Sequence, residues 1–347
     1  MRVLRWLKLP IWLAEIATSA KSFKANPILG SVTLNRFGLH VWRKKVACGL
    51  ADWRRSRLAG AILPQEHEAF CANGFILKHD LLPEAEFAAL RQEVYGYSGD
   101  MREMTQGNAV TRRVLLDQRT LKQMPTLARL LRSSSWQGLM HYVSSYRMEP
   151  VYYIQAILTQ VSDAPDDPQT ALHMDAFHPS MKAWLFMDAV EADQGPFTYV
   201  PGSHRATPAR LAWEKRQSLS LGLGDNSLSA RGSMRIHPQE LAELGLPQAR
   251  PMVVPGNTLV VGDTSGFHAR GRSLKASVRV EIWAYARRNP FLPWLGLDLW
   301  SLPFLRGRQV RLFWWYLDRR ERLGGRGSPW RAVQRQHITD AVTDRAY

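Results

Sequence analysis

Two residue types that bind metal ions, a histidine and a carboxylate, lie two positions apart in His173-Met174-Asp175. In an extended strand, positions i and i+2 point to the same face, so the imidazole and the carboxylate would converge. A third ligand must come from elsewhere, and His268 is a candidate because it follows the apolar segment 252–261. Two histidines and one carboxylate form a facial triad, which leaves three positions of an iron ion open for a bidentate co-substrate and O2. The spacing alone is weak evidence, since the chain has 10 histidines.

The residues after the His-x-Asp strengthen this interpretation. A strand-like run, Lys182-Ala183-Trp184-Leu185-Phe186-Met187-Asp188, is followed by an acidic turn with Gly195-Pro196 and then by Pro201-Gly202-Ser203-His204. This arrangement, within residues 151–289, closely resembles the phytanoyl-CoA dioxygenase family. The resemblance implies a double-stranded β-helix, or jelly roll, with Fe(II) as metal and with 2-oxoglutarate and O2 as co-substrates.

The resemblance also implies an arginine downstream of the distal histidine that binds the far carboxylate of 2-oxoglutarate. Arg279 lies 11 residues after His268 and fits this place. Alternation along 276–284 puts Arg279, Glu281 and Trp283 on one face of a predicted strand. A guanidinium can pair with a carboxylate through two charge-assisted bonds, which agrees with the assignment. Arg270 and Arg272 are alternatives, but they are too near His268 to reach past the metal.

Further positions match the family with less support. Trp184 matches an aromatic position that lines the co-substrate pocket, and Gln155 matches a polar position on the strand before the His-x-Asp; core or surface packing would explain either residue equally well. Arg270 stands where the family often has a small or hydroxyl residue, and it could place a cation near the substrate. His178 and His204 are expected to be structural, because the triad is complete without them.

The elements that must position these residues are mainly β-strands with flanking helices. Short β-rich runs are predicted at 151–158, 183–187, 197–200, 252–261 and 278–286. Helices are predicted in much of the first 60 residues and over 83–94, where Pro83 would occupy the first turn. The pattern predicts a basic helical N-terminal extension (1–60), a jelly-roll dioxygenase domain (61–290) with a polar, helical insertion near 205–250, and a basic Trp/Arg-rich C-terminal extension (291–347).

The charge is strongly positive and concentrated at the ends. The chain has 46 Lys and Arg against 30 Asp and Glu, a formal net charge of +16, which favours an anionic partner. Near the C-terminus, Trp294, Trp314 and Trp315 alternate with arginines such as Arg306 and Arg319. This mixture suits the headgroup boundary of an anionic membrane, although a packed aromatic core with a solvated arginine face is an equal alternative. No nucleic-acid-binding module accompanies the charge, so nucleic acid is not expected.

Cellular location is constrained by what the sequence lacks. Cys48 and Cys71 have no C-x-x-C spacing, so neither a disulfide framework nor a structural zinc site is indicated. Residues 1–21 superficially resemble a signal peptide, but Lys8, Pro10 and Glu15 interrupt the apolar run and disfavour export. No segment approaches the roughly 20 apolar residues of a spanning helix. We expect a cytoplasmic protein, peripheral on the inner face of the membrane.

The sequence therefore predicts an Fe(II)/2-oxoglutarate-dependent dioxygenase that hydroxylates an organic substrate, lipid-linked or phosphorylated, at a membrane surface. Asp175 favours hydroxylation, because related halogenases carry a small residue in its place. One alternative is a cupin-like metalloenzyme that does not use 2-oxoglutarate and would not need Arg279. Another is a non-catalytic lipid- or polyanion-binding protein on a dioxygenase scaffold, and the intact triad counts against it. Neither the primary substrate nor the oligomeric state follows from the sequence.

Overall fold

The computed structural model describes residues 8–221, 227–302, 305, 307–325, 327–334 and 337–342. The α-helices are α1 (Leu9–Ala14), α2 (Val32–Arg36), α3 (Leu39–Ser56), α4 (Pro64–Asn73), α5 (Glu84–Gly96), α6 (Gln118–Leu121), α7 (Pro125–Arg132), α8 (Ser134–Ser144), α9 (Pro208–Ser220), α10 (Pro238–Glu243) and α11 (Gln309–Arg322). The strands are β1 (Phe75–Lys78), β2 (Met101–Gln106), β3 (Ala109–Leu115), β4 (Val151–Thr159), β5 (Met181–Phe186), β6 (Phe197–Tyr199), β7 (Arg250–Pro251), β8 (Thr258–Asp263), β9 (His268–Arg270), β10 (Ser277–Ala286) and β11 (Arg331–Val333). The signal-like start up to residue 7 and Arg306 lie outside the described residues.

Two antiparallel sheets face each other and enclose the site. Within the described part of the chain, the larger sheet has the order β1-β8-β5-β10-β4-β3-β2-β11 and the smaller the order β7-β6-β9. Aromatic residues from both sheets pack in the space between them, and Trp184 of β5 stacks on Phe197 of β6 with ring centroids 4.0 Å apart. This arrangement confirms the predicted class, a mainly β jelly roll with flanking helices.

The opposite face of the larger sheet is covered by helices. Leu90 of α5, Leu127 of α7 and Leu139 of α8 belong to one buried cluster with Ile154 of β4 and Val280 of β10. Each such aliphatic side chain contributes about 1.5–3 kcal/mol when it leaves water. Because side chains alternate along a strand, this packing turns the intervening residues of β10 toward the interior of the jelly roll.

The long helix α3 uses its basic residues as internal anchors rather than as a charged surface. The Lys44 ammonium lies 2.9 Å from Glu214 of α9, and the Arg55 guanidinium lies 2.8 Å from Asp263 at the end of β8. Arg54 donates to the carbonyls of Ser145 and Leu292. Part of the N-terminal positive charge is therefore neutralised inside the fold, and α9 of the predicted insertion is fixed to the N-terminal helices.

Several predicted boundaries are wrong. The run 252–261 is not one strand, because β8 begins only at Thr258, after a turn in which Asn257 adopts a left-handed conformation with φ 61°. The side-chain amide of Asn257 fixes that turn, because its Nδ2 donates to the Leu82 carbonyl and its Oδ1 accepts from the Leu82 backbone N–H. Pro83 is the N-cap of α5, with ψ 147°, and not a residue of its first turn. The three strands before residue 151, β1 to β3, were not predicted.

The two ends of the chain contact the β-rich part. Strand β11 pairs with β2 and so extends the larger sheet. The Asn289 amide donates to the carbonyl of Ala17, and the Trp314 ring of α11 packs against Tyr153 of β4. The division at residues 60 and 290 stays a prediction. Among the described residues, no helix has the length and apolar character needed to span a membrane.

Candidate active site

The three predicted metal ligands meet between the two sheets. His173 and Asp175 lie in the loop before β5, and His268 begins β9. His173 and His268 exchange two backbone hydrogen bonds of 2.9 Å, and the Asp175 amide donates to the Thr264 carbonyl at 2.9 Å. The Nε2 atoms of His173 and His268 are 3.9 and 3.6 Å from carboxylate oxygens of Asp175. One candidate ligand atom from each residue lies within 4.8 Å of the others.

The predicted extended strand at His173-Met174-Asp175 is wrong in form. His173 makes only isolated bridges, to Arg235 and to His268, and the segment is otherwise a loop. The backbone bonds to the segment that carries His268 replace the regular strand and still bring the imidazole and the carboxylate together.

The hydrogen bonds of the two rings prepare them for a metal ion. Nδ1 of His173 lies 2.8 Å from the Ala171 carbonyl oxygen, and Nδ1 of His268 lies 3.0 Å from that of Gly266. A carbonyl accepts only from a protonated Nδ1, so each neutral ring directs the lone pair of Nε2 to the common centre. Nε2 of His268 is buried and has no hydrogen-bond partner among the described residues. Such an orphaned acceptor fits a metal ligand.

Burial and neighbouring charges favour the metal-binding protonation states. Burial, assisted by the charge of His268, lowers the pKa of His173 to about 3, and burial also lowers the pKa of His268. Burial would raise the pKa of Asp175, but the ammonium of Lys182 and the two histidines outweigh it and hold that pKa well below its usual range. Two neutral imidazoles and one carboxylate are therefore present at neutral pH, as a divalent metal requires.

A polar ladder crosses the inner face of the larger sheet. Arg113 on β3, Gln155 on β4 and Glu281 on β10 are cross-strand neighbours. Nε of Arg113 donates to Gln155 at 2.7 Å, and Nε2 of Gln155 donates to Glu281 at 2.6 Å. The other oxygen of Glu281 accepts from Nε of Arg279 at 3.1 Å. This ladder fixes the orientation of the predicted clamp, Arg279.

Arg279, the predicted clamp, lies inside the jelly roll. Its Nη1 donates to the Gly195 carbonyl, while its Nη2 group has no acceptor among the described residues. It lines a cavity of about 380 Å³ that also contains the three candidate ligands. Trp184 and Gln155, both predicted pocket residues, line the same cavity. The structure thus brings together all six residues that the sequence selected.

The two alternative arginines differ in position. Arg270 lines the cavity, and its guanidinium lies 2.5 Å from Asp167 and 3.3 Å from the Thr111 hydroxyl. Arg272 is mostly exposed and pairs with Asp166 at 2.9 Å. That Arg270 and Arg272 are too near His268 to reach past the metal stays a prediction, and of the two only Arg270 lines the cavity.

His178 and His204 lie outside this cavity, as expected of structural residues. Nδ1 of His178 lies 2.9 Å from the Pro179 carbonyl oxygen, and burial lowers the pKa of the ring to about 3. Burial lowers the pKa of His204 to about 4. Both rings are therefore neutral at pH 7.

The sequence did not select several cavity residues. Four of them are basic: Lys21, Arg113, Lys182 and Arg287. Lys182 was visible as a polar residue next to a hydrophobic strand, but Lys21 lies more than 150 positions from the triad and carried no local signal. Burial lowers the pKa of Lys21 to about 8, an effect that Asp175 opposes and that the charge of Arg287 reinforces.

Comparisons with known proteins gave one family match and several solved structures of low similarity. A family model described as phytanoyl-CoA dioxygenase (PhyH) matches residues 70–221, and no curated protein matches the chain. Solved structures with a similar arrangement include the epimerase SnoN with Fe3+, alpha ketoglutarate and nogalamycin RO (17% identity, 64% of this chain and 81% of that chain, TM-score 0.40). Others are HygX from Streptomyces hygroscopicus with nickel and 2-oxoglutarate (17%, 64% and 86%, 0.39) and AviO1 from Streptomyces viridochromogenes Tue57 (19%, 64% and 94%, 0.38).

The family match over residues 70–221 and the His-Asp-His group of the described residues are those of an Fe(II)/2-oxoglutarate-dependent oxygenase. The resemblance to the phytanoyl-CoA dioxygenase family is confirmed over residues 70–221. SnoN holds Fe3+ and HygX holds nickel, each with 2-oxoglutarate, and the His-Asp-His group of this chain could hold such a metal ion. The matched range contains His173, Asp175 and Trp184 but ends before His268 and Arg279. The roles of the last two residues depend on the geometry of the site.

Proposed function

We propose that the chain hydroxylates an organic substrate, with His173, Asp175 and His268 as protein ligands of Fe(II) and with Arg279 as the clamp for the distal carboxylate of 2-oxoglutarate. The buried, unpartnered Nε2 of His268 beside the Asp175 carboxylate is the observation that carries the proposal. A cupin-like enzyme would not require the arginine that the polar ladder holds in the cavity.

When bound, the iron with 2-oxoglutarate and O2 supplies the oxidation, in which 2-oxoglutarate becomes succinate and CO2 and one oxygen atom enters the substrate as hydroxyl. The chain itself binds the iron and the co-substrate and orients them. His173 and His268 hold their rings through backbone carbonyls, which fixes the direction of both ligand atoms. Trp184 and Phe197 form an aromatic wall that excludes water from one side of the cavity.

The metal assignment is tested by anaerobic Fe(II) titration of the parent, Asp175→Ala and Asp175→Asn proteins. We expect both variants to lose more than about 100-fold in iron affinity. Mutation of residues that only hydrogen-bond to a metal ligand already lowers metal affinity by about 10- to 100-fold, and Asp175 is proposed to be a ligand itself. Asp193→Ala is the matched control, since Asp193 is a partly exposed carboxylate paired with Lys275 away from the triad. Thermal unfolding of each protein reports whether the fold is intact. Parent-like iron binding by a folded Asp175→Ala protein would remove the assignment.

We propose further that the enzyme works at an anionic membrane surface. Helix α11 packs through Trp314 and leaves Phe313, Trp315 and Tyr316 exposed, beside the exposed arginines Arg319 and Arg322. Phe37, at the end of α2, is 85% exposed. Aromatic rings next to guanidinium groups match an interface of acyl chains and phosphates. Charge complementarity therefore favours anionic lipid as the occupant of this surface.

A further inference from the structure

Three cations line the cavity beside the candidate metal centre, and a fourth lies close to it. Lys182 of β5 places its ammonium 2.6 Å from Asp175 Oδ2, and Lys21 donates from Nζ to the Asp175 carbonyl. Arg287, directly after β10, lines the same cavity. The backbone of Arg235 forms an isolated bridge with His173, and its guanidinium is near enough to Lys21 to contribute to the lowered pKa of that ammonium. We call Lys21, Lys182, Arg235 and Arg287 the cationic rim.

The rim differs from Arg270 and Arg279 because its four cations share one nearby carboxylate, Asp175. Arg279 pairs with Glu281, and Arg270 pairs with Asp167. By contrast, Asp175 is the one carboxylate among the described residues that line the cavity, and a metal ion would occupy it. Arg235 bonds to the carbonyls of Ser233 and Pro168. No acid of the described part of the chain pairs with Arg287.

The rim joins four separate parts of the chain. Lys21 precedes α2, Lys182 is in β5, Arg235 is in the loop before α10, and Arg287 follows β10. Like charges brought together from distant positions repel one another, and Asp175 alone offsets only one of these four charges. The arrangement is therefore best explained by a ligand.

The number of charges indicates the kind of anion. Iron(II) with Asp175 would carry one positive charge, and 2-oxoglutarate would bring two negative charges, so the centre alone would carry one negative charge. One of the four cations of the rim would offset that charge, and three would remain in excess. A carboxylate would offset only one of them, whereas a phosphate monoester carries about −1.5 to −2 at pH 7 and has three acceptor oxygens. Lysine and arginine are both common phosphate ligands.

We propose that the cationic rim binds a phosphate group of the primary substrate and so directs the carbon to be oxidised toward the metal. This proposal rests on the proposed function of the triad and of Arg279. The phosphate can belong to a water-soluble ester or to a lipid headgroup, and the chemistry of the rim is the same for both.

The test uses glycerol 3-phosphate as probe and protein loaded with Mn(II) in place of iron and saturated with 2-oxoglutarate. Phosphorus-31 relaxation then reports how near the phosphate lies to the metal, with Zn(II)-loaded protein as the diamagnetic reference. We expect strong relaxation enhancement in the parent. Arg287→Gln and Lys21→Gln should each raise the Kd of the probe about tenfold, as expected for the loss of one charge-assisted contact. Arg272→Gln, which removes a mostly exposed arginine, should leave the Kd unchanged.

The source of the phosphate is distinguished by competition. Displacement of the probe by phosphatidic acid in phosphatidylcholine vesicles would support a lipid headgroup, and binding of the soluble ester without such displacement would support a soluble substrate. Equal probe affinity in the parent, Arg287→Gln and Lys21→Gln proteins, or no relaxation enhancement while Mn(II) and 2-oxoglutarate bind, would overturn the rim assignment. Failure of Mn(II) or 2-oxoglutarate to bind would instead overturn the proposed function, and this inference with it.

Discussion

Replacing Arg279 should separate two roles that the guanidinium combines. It is the proposed clamp for 2-oxoglutarate, and it compensates Glu281, which is fully buried. Two of its nitrogens are already bound to Glu281 and to the Gly195 carbonyl, so the Nη2 side is the part available to the co-substrate. Each charge-assisted bond contributes about 1.5–3 kcal/mol. Since about 1.4 kcal/mol is one decade, Arg279→Ala should weaken 2-oxoglutarate binding at least tenfold.

Replacement of Arg279 would also leave the buried Glu281 carboxylate without its charged partner. Removal of one partner of a buried ion pair typically costs about 3–5 kcal/mol of stability, because the remaining charge has no compensation. Arg279→Ala should therefore also lower the unfolding midpoint, and the double variant Arg279→Ala/Glu281→Gln should recover most of that stability without recovering tenfold affinity. Arg279→Lys should restore binding only in part, because an ammonium lacks the planar fork.

The assay is anaerobic calorimetric titration of 2-oxoglutarate into Fe(II)-loaded protein, with thermal unfolding of the same samples. Arg272→Ala is the exposed control and should bind like the parent. Arg270→Ala tests the neighbouring arginine, and we expect a smaller loss because Arg270 is paired with Asp167. Parent-like affinity in Arg279→Ala together with lost affinity in Arg270→Ala would show that Arg270 is the clamp. If double-variant and single-variant affinities both equal that of the parent, the clamp reasoning fails.

Two further predictions concern the whole molecule. Burial lowers the pKa values of His178 and His204 in the folded chain to about 3 and 4. As pH falls below about 6.5, the unfolded chain therefore takes up protons before the folded chain does. The free energy of unfolding should then decline by about 1.4 kcal/mol per pH unit for each ring. Calorimetric midpoints between pH 7.5 and 5 should show this, with a shallower decline in His178→Gln; parallel curves would contradict it. Vesicle co-sedimentation should show salt-sensitive binding to anionic but not neutral lipid, reduced in Trp315→Ser and retained in Leu274→Ser, an exposed leucine away from both ends. Equal binding to both lipids would assign the charge to another partner.

The sequence predicts the residues of this site better than the strands and the N-terminal segment that surround them. His173, Asp175 and Arg279 were selected from spacing, strand alternation and family resemblance, because each depends on local pattern. The inward direction of Arg279 follows directly from the two-residue period of β10. By contrast, β1 to β3 lie in segments whose apolar pattern is short and mixed with charge, and only their pairing with β8 and β4 makes them strands. The contact of Lys21 with Asp175 has no sequence signal, since it depends on the path of the N-terminal chain across the fold.

The net charge of +16 illustrates why composition alone does not identify a partner. Some of the basic residues, such as Lys44 and Arg55, are paired with buried carboxylates that fix α3 to α9 and to the end of β8. A second group, the cationic rim, lacks carboxylate partners once a metal occupies Asp175, and it faces the open side of the centre. A third group lies on α11 among exposed aromatic rings. Only the second and third groups can attract an external anion, and they do so at different places. A phosphate-bearing substrate at the rim and an anionic surface at α11 are therefore separable, because Arg287→Gln should affect the first without affecting the second.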